Sequence, residues 1–200
     1  MIERRALFGA ALGAILMPDL AEAQTVAPAS VRQNEPGPEN AAVAQRAGSW
    51  DMTETVWDAP GAAPVTTTGL VAERRVIGSM LQEVLRPAAD PASNVVARID
   101  YLTFNRVEGR WDYVSMDMRA PVGIMSAWSF DRGGANRIEL TFQPFATAGA
   151  GPGIGGQMLR MTQVITVLDP NREVKEQFFL PADGSGTKWL AHKYEYKRRI

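Results

Sequence analysis

The sequence predicts an all-β protein, an antiparallel up-and-down β-barrel of about ten strands with one short helix before it. Segments in which apolar and polar residues alternate with period two follow one another from residue 48 onward, and this period is typical of half-buried strands. Short turns rich in Gly, Pro, Asn and Asp separate the segments, and no long helical pattern interrupts them. Closure into a barrel removes the two unpaired edges of such a sheet, which favours a barrel over the alternative, a sandwich.

Composition fits one globular domain and excludes several kinds of site. The chain has 200 residues, a formal net charge of −1 and 46% hydrophobic residues, which is an ordinary globular composition. It contains no cysteine, which excludes disulfides, thiolate metal sites and a cysteine nucleophile. The basic cluster Lys197-Arg198-Arg199 is too short for a nucleic-acid surface, so we expect no nucleic-acid partner.

The first part of the chain predicts export. Residues 1–23 combine Arg4 and Arg5, an apolar run too short to span a bilayer, and an Ala21-Glu22-Ala23 cleavage site, as a signal peptide does. The paired arginines resemble a twin-arginine signal, and an ordinary signal peptide is the alternative. We therefore expect a periplasmic or secreted protein, cleaved near Ala23, with no stable membrane span.

The elements of the mature chain follow in order. Residues 24–38 are predicted to be a flexible linker, and residues 39–200 a single barrel domain. A helix over residues 39–46, with Pro38 at its start and Gly48 beyond its end, is expected across one open end of the barrel. The predicted strands are residues 47–57, 66–77, 80–86, 94–106, 110–119, 122–130, 137–145, 157–168, 173–180 and 187–199. Turn residues such as Gly78-Ser79 separate them.

Two resemblances support this fold. The Gly48-x-Trp50 motif on the first strand resembles the calycin superfamily, which includes the lipocalins; there the tryptophan packs against a basic residue of the last strand, which implies that Arg198 covers Trp50 here. Residues from about 44 to 199 resemble an uncharacterised bacterial family, domain of unknown function 1579, which implies a calycin-like barrel and no established activity. The matching segments are Gly48-Ser49-Trp50, Phe104-Asn105 with Gly109-Arg110-Trp111, Val164-Ile165-Thr166-Val167, and Tyr194-Glu195-Tyr196-Lys197-Arg198.

Alternation assigns a mixed apolar and polar set of side chains to the interior. If Trp50 points inward, so do Met52 and Glu54, and on the sixth strand Trp128 shares a face with Ile124. The predicted ligand-binding residues are Trp50, Met52, Glu54, Tyr113, Trp128, His192 and Tyr194. The other strand carboxylates are expected at solvated faces or in cross-strand pairs with arginines. A barrel of this size either fills its interior with side chains or leaves room for one small ligand.

His192 is the single histidine of the chain. A hydrogen-bonded histidine of the barrel is the simple interpretation. The alternative is a haem ligand, as in nitrobindin, a similar ten-stranded barrel, although the glycine-rich pattern that follows Gly-x-Trp in nitrobindins is missing here. One histidine does not complete a transition-metal site. We therefore predict no metal and no resident cofactor.

Three functions stay open on the sequence. The first, which we favour, is an exported barrel, monomeric or homodimeric, that binds a small apolar or amphipathic molecule in its interior. The second is a barrel enzyme, an isomerase, cyclase or hydrolase, that uses an interior carboxylate. Glu54 and Asp117 are its candidates, because burial among aromatic side chains raises the pKa of a carboxyl group. The third is a structural or interaction protein with a filled core.

Overall fold

The computed structural model of the protein describes residues 35–89, 95–120, 122–130, 132–147 and 156–200. Within these ranges the predicted architecture is confirmed, since one short helix precedes a closed antiparallel β-barrel. The predicted signal peptide and residues 24–34 of the predicted linker lie outside the described residues. No helix within the described ranges is long and apolar enough to cross a membrane.

All ten predicted strands are present, with one difference at the seventh. The elements are α1 (Pro38–Ala44), β1 (Gly48–Val56), β2 (Val65–Ile77), β3 (Met80–Pro87), β4 (Arg98–Asn105), β5 (Arg110–Asp117), β6 (Ile124–Trp128), β7 (Arg137–Phe142), β8 (Phe145–Thr147), β9 (Gln157–Asp169), β10 (Arg172–Pro181) and β11 (Trp189–Arg198). The predicted seventh strand is split at Gln143 and Pro144 into β7 and β8, which both pair with β9. Pro144 has no N–H to donate to the ladder, which accounts for the interruption.

The ring of strands closes through two pairings that complete a simple meander. Sequential neighbours pair from β1 to β7, and β7 pairs with β9. The pairing of β9 with β10 and that of β11 with β1 complete the barrel, in which Trp50 lies opposite Arg198. Ten positions around the barrel result when β7 and β8 count as one strand. Among the described residues, every strand of the ring has a neighbour on both sides except the short β8, which pairs with β9 alone.

Helix α1 packs against β3 and the end of β4, and we call this end of the barrel the closed end. The backbone N–H of Phe104 donates to the Asn40 side-chain oxygen at 2.7 Å, and the Asn40 amide donates to the Phe104 carbonyl at 3.2 Å. Val43 is buried against the core residues around it. The helix ends at Ala44, two residues before the predicted end. The opposite end of the barrel, where β5 ends and β11 begins, we call the mouth.

Two apolar clusters occupy the interior. The larger cluster is formed by Val43, Leu81, Leu102, Phe104, Trp111, Tyr113, Ala127, Ile138, Leu140, Phe142, Met161 and Ile165. The smaller cluster is formed by Trp50, Met52, Leu70, Ala72, Leu85, Ala97, Tyr194 and Tyr196. Lys175 touches both, because its ammonium lies 5.6 Å from the ring centroids of Tyr113 and Tyr196.

A central ionic layer fills the middle of the barrel; it consists of Arg74, Glu83, Arg98, Asp100, Glu173 and Lys175, all of them buried. Arg74 Nε lies 2.7 Å from Glu83 and its Nη2 lies 2.8 Å from Glu173. Lys175 Nζ lies 2.9 Å from Asp100. With Arg46 and Glu54, the described residues contain four basic and four acidic buried side chains. Because these charges balance, the layer is compatible with a dry interior.

Candidate functional site

Above the central ionic layer the barrel contains a space, the mouth cavity, with a volume of about 130 Å³. Its apolar walls come from Met125, Phe145, Met161 and Phe179. Arg98, Ser115, Gln177 and Tyr194 line its polar side. An apolar protein cavity of about 150 Å³ is known to take up benzene, so the mouth cavity matches a molecule of roughly one ring.

The polar side of the mouth cavity is largely satisfied from within the protein. Ser115 Oγ donates to Asp100 at 2.6 Å, which ties the cavity to the ionic layer below it. The Gln177 amide donates to Gln163 at 2.8 Å, and the Tyr194 hydroxyl donates to Gln177 Oε1 at 3.3 Å. These groups therefore do not require a charged ligand.

Four side chains at the mouth form a second charged group, the rim cluster: Glu54, Asp117, Arg119 and His192. Arg119 connects the two carboxylates, because its Nη2 lies 2.8 Å from Asp117 Oδ2 and 3.3 Å from Glu54 Oε1. Its Nη1 donates to Glu54 Oε2, and its Nε donates to Asp117 Oδ1 at 3.0 Å. Both oxygens of Glu54 are thus held by one guanidinium that is itself held by Asp117.

The carboxyl group of Glu54 is ionised, contrary to the prediction that burial would raise the pKa of an interior carboxyl. Burial by itself does raise the pKa of Glu54. Hydrogen bonding by His192 and Arg119, with the positive charges of Arg119 and Arg98, outweighs burial and holds that pKa at about 2. Asp117 is paired with Arg119. Glu54 is therefore not arranged as a protonated acid.

His192 stands between the mouth cavity and a second, side cavity of about 190 Å³. The two cavities share Thr147, Phe179 and His192 in their linings. The imidazole lies parallel to the Tyr194 ring, with 5.8 Å between centroids, and its centroid is 5.5 Å from that of Phe179. His192 Nδ1 lies 3.4 Å from Glu54 Oε1. Nδ1 is buried and makes no hydrogen bond of good geometry among the described residues, and none is made by Nε2 there either.

The spaces beside His192 do not fit a haem. Each is close to the size of a single ring, whereas a haem has four pyrrole rings. Within the described ranges, no group of three His, Cys, Asp or Glu side chains is placed to hold a metal ion. That the protein has no resident cofactor stays a prediction.

The structure brings three of the seven predicted ligand-binding residues together at the mouth: Glu54, His192 and Tyr194. Tyr113 lies deeper, where its hydroxyl accepts a hydrogen bond from Lys175 at 3.3 Å. Met52 is buried in the smaller apolar cluster. These two residues support the interior and do not line the mouth cavity.

Trp128 lies outside the barrel, which corrects its predicted inward orientation. Its neighbours Ala127 and Ser129 are the buried ones, whereas Ile124 on the face of Trp128 is 72% exposed. The inward-facing residues beside Trp111, which fills the interior there, are the small Ala127 and Ser129, and the backbone N–H of Trp111 donates to Ser129 Oγ at 2.9 Å. The Trp128 ring packs on the outer surface under Arg110, at 5.4 Å.

Trp50 lies at the closed end, far along β1 from Glu54. The Arg198 guanidinium lies over its ring at 4.4 Å from the centroid, in the arrangement that the calycin resemblance implies. A groove of about 580 Å³ beside them is larger than the mouth cavity. However, Arg198 directs its donors at the backbone carbonyls of Pro170, Ala47 and Gln45. The mouth cavity lies inside the barrel between aromatic and thioether side chains, and we take it as the candidate site in spite of its smaller volume.

Sequence reasoning missed most of the central ionic layer. Arg74 and Glu83 do form the cross-strand pair that was expected, but both are buried. Arg98, Asp100 and Lys175 carried no motif. The one signal is positional, because Arg98 and Asp100 alternate in step with the inward-facing Leu102 and Phe104.

No family model and no curated protein matches the sequence. Among solved structures, the chain is similar to the crystal structure of Rv2717c from M. tuberculosis, with 16% sequence identity and a TM-score of 0.48 over 83% of this chain and 100% of that chain. A likeness at this level concerns the fold alone. Membership of the family of domain of unknown function 1579 therefore stays a prediction. The fold and the site define a ten-stranded β-barrel with a ring-sized cavity at its mouth.

Proposed function

We propose that this protein is an exported barrel that binds one small, largely apolar molecule of about one ring in its mouth cavity. The observation that supports this most is the cavity itself, about 130 Å³ between the side chains of Met125, Phe145, Met161 and Phe179. The rest of the interior is filled by apolar clusters and paired charges. Protein interiors are close-packed, and an empty cavity costs stability, so a ring-sized space at an accessible end supports a ligand.

The polarity of the site supports a neutral, amphipathic ligand. The walls are aromatic and thioether side chains, which adapt to apolar rings. At the rim, the Arg119 guanidinium already bonds two carboxylates. A carboxylate ligand would therefore have to compete with Glu54 and Asp117 for the same cation.

The location and the oligomeric state belong to the proposal as well. Export to the periplasm or beyond is supported by the sequence of residues 1–23, with its paired arginines, apolar run and cleavage motif. The protein is a monomer or a homodimer in this proposal, and neither state is needed to complete the site, because one chain supplies its lining.

The two alternative functions receive less support. An enzyme that acts through a protonated interior carboxyl is disfavoured, because the pKa of Glu54 is held at about 2 and the group is ionised at neutral pH. A structural protein with a wholly filled core agrees with the central ionic layer but does not account for the mouth cavity.

A cavity-filling substitution tests the proposal. Thr147 on β8 lines both the mouth cavity and the side cavity, so Thr147→Phe places a ring in the space. Its neighbour Ala146 is exposed, so Ala146→Phe adds the same ring outside as a matched control. We expect toluene at saturation to raise the melting temperature of the wild type and of Ala146→Phe by several degrees, about 2–4 °C per kcal/mol of binding. Thr147→Phe should show little of this rise.

The outcome that would contradict the proposal is equally definite. If benzene, toluene, phenol and indole all leave the melting temperature and the methionine methyl NMR signals of the wild type unchanged, the mouth cavity is not a ligand site. A rise that persists at full size in Thr147→Phe would place the ligand elsewhere.

A further inference from the structure

The Glu54–His192 pair at the mouth determines which hydrogen-bonding group the cavity presents. Glu54 is 4% exposed, and both of its oxygens accept hydrogen bonds from Arg119. His192 Nδ1 faces Glu54 Oε1 at 3.4 Å; this contact does not have the geometry of a hydrogen bond, and Nδ1 is buried with no hydrogen-bond partner among the described residues. This distance is longer than an ideal hydrogen bond, as is common for such pairs in ligand-free sites. A carboxylate only accepts, so the nitrogen that faces it carries the hydrogen.

The position of that hydrogen determines the chemistry of the other ring nitrogen. In a neutral imidazole with its hydrogen on Nδ1, Nε2 carries a lone pair and is a hydrogen-bond acceptor. The His192 ring lines both the mouth cavity and the side cavity, and its Nε2 has no partner among the described residues. A molecule in the mouth cavity therefore lies beside an imidazole ring that can accept a hydrogen bond at Nε2.

We infer that the ligand of the mouth cavity is a hydroxylated single ring, a phenol, whose O–H donates to Nε2 of His192. This inference rests on the proposed function and names the ligand class of the same site. The ring would pack against Phe145 and Phe179. A neutral donor fits this site because its charged groups are already paired within the protein, Arg119 with Glu54 and Asp117 and Arg98 with Asp100.

The rim cluster holds this arrangement in place. Asp117 engages Arg119 at two atoms, with Nε at 3.0 Å and Nη2 at 2.8 Å, and Arg119 in turn engages both oxygens of Glu54. Glu54 therefore has one fixed orientation toward His192. Asp117, Arg119 and Glu54 are positioning residues, and His192 is the residue that contacts the ligand.

The tautomer of His192 is directly measurable, because this is the single histidine of the chain. In protein labelled with ¹⁵N-histidine and prepared without a histidine tag, the two ring nitrogens give one unambiguous pair of signals. At neutral pH we expect the hydrogen on Nδ1 and an acceptor-type shift for Nε2 that moves when phenol is added. A hydrogen on Nε2 in the free wild-type protein would overturn the inference.

The Glu54→Gln variant should reverse which ring nitrogen of His192 carries the hydrogen. Arg119 only donates, and its closer contact is that of Nη1 with Oε2. The glutamine oxygen therefore stays at the Oε2 position. The amide nitrogen takes the Oε1 position beside His192 and gives up the 3.3 Å contact with Arg119 Nη2. That amide donates to Nδ1, and the imidazole hydrogen moves to Nε2. We expect the ratio of phenol to toluene affinity to fall about fivefold and the ratio of benzaldehyde to toluene affinity to rise.

Two further variants keep the test decisive. His192→Phe retains a ring between Tyr194 and Phe179 but has no acceptor, so it should also lower the phenol-to-toluene ratio about fivefold. Glu195→Gln removes an exposed carboxylate from the same strand as His192 and should leave both ratios at the wild-type values. Toluene corrects every ratio for the size and apolarity of the ring.

The outcomes separate this inference from the proposed function. If toluene and phenol bind and their ratio is the same in the wild type and in His192→Phe, the cavity is a ligand site but His192 does not select phenols. If neither compound binds the wild type, the proposed function fails and the inference fails with it. If the ratio of phenol to toluene affinity is lowered in both His192→Phe and Glu54→Gln, the result supports the proposed function and this inference.

Discussion

Two regions of this barrel hold buried carboxylates beside arginines, and they differ in the size of the space beside them. In the central ionic layer, Glu83 is contacted by Arg74, Arg98 and Lys175. In the rim cluster, Glu54 is contacted by Arg119 and His192, and the imidazole keeps one nitrogen without a partner among the described residues. The central layer borders a space of only about 20 Å³, whereas the rim borders the mouth cavity. The central layer also contains buried atoms without a hydrogen bond, Arg74 Nη1, Arg98 Nε and Glu173 Oε2. Buried charges and unpaired polar atoms therefore do not identify a binding site by themselves; a ligand-sized space beside them does.

The pKa values agree with this comparison. Burial by itself lowers the pKa of Lys175, but the charges of Asp100 and Glu83 outweigh it and hold that pKa well above its ordinary value. Burial raises the pKa of Glu83, but the charges of Lys175, Arg74 and Arg98 hold it well below its ordinary value. Both groups stay charged across the physiological range. The central layer is thus a structural element whose charges depend on one another.

The largest effect should come from breaking the central layer. Lys175→Met removes the cation that Glu83 and Asp100 share, and a buried pair that loses one partner costs about 3–5 kcal/mol. We expect a loss of that size in the free energy of unfolding, measured with urea. Lys193→Met, which removes the partly exposed cation beside Glu195, is the control and should cost less than about 1 kcal/mol. Equal losses in the two variants would contradict a structural role for the layer.

Low pH should reveal how much the ionised Glu54 of the rim cluster contributes to the free energy of unfolding. The folded-state pKa of Glu54, about 2, lies below its ordinary value of 4.5. Its ionised form therefore stabilises the fold above pH 4.5, and this contribution is lost as the pH falls toward 2. Between pH 5 and pH 3 the wild type should lose about 2 kcal/mol more than Glu54→Gln in urea unfolding. Parallel losses in both proteins would show that Glu54 is not held ionised by its neighbours.

The smallest effect should come from Trp128, which lies in neither region. Trp128→Ala removes a ring from the outer surface beside Arg110 and should cost about 1 kcal/mol or less. The effect of toluene on the melting temperature should be the same as in the wild type. A loss of toluene binding would restore the inward orientation that alternation predicts.

Much of the fold could be predicted from the sequence because it depends on local signals. Period-two alternation and turn residues identify all ten strands, and Pro38 with Gly48 brackets the helix. The split between β7 and β8 was missed, although Pro144 is the residue that causes it. The orientation of β6 was missed because both of its faces carry apolar residues, and only the packing of Trp111 decides between them.

The site depends on contacts that no local pattern contains. Arg74 and Glu173 are 99 positions apart and meet only because β2 and β10 face each other across the closed barrel. Arg119, which lies just beyond β5, reaches Glu54 on β1 over 65 positions. Alternation placed Glu54 and His192 in the interior, but their mutual contact depends on the register of β1 against β11, which sets Val56 opposite His192 and Glu54 opposite Tyr194.

The pairing of β1 with β11 also constrains the order in which the molecule can assemble. Arg199 bonds Asp51 over 148 positions, so a chain that grows from its N-terminus holds β1 without a neighbour on one side until nearly all the other strands have been synthesised. Such non-local closure is intrinsically slow. Until it occurs, β1 presents a hydrogen-bonding edge on which another chain can pair. The protein is therefore most vulnerable to aggregation before β11 has been synthesised and has paired with the free edge of β1.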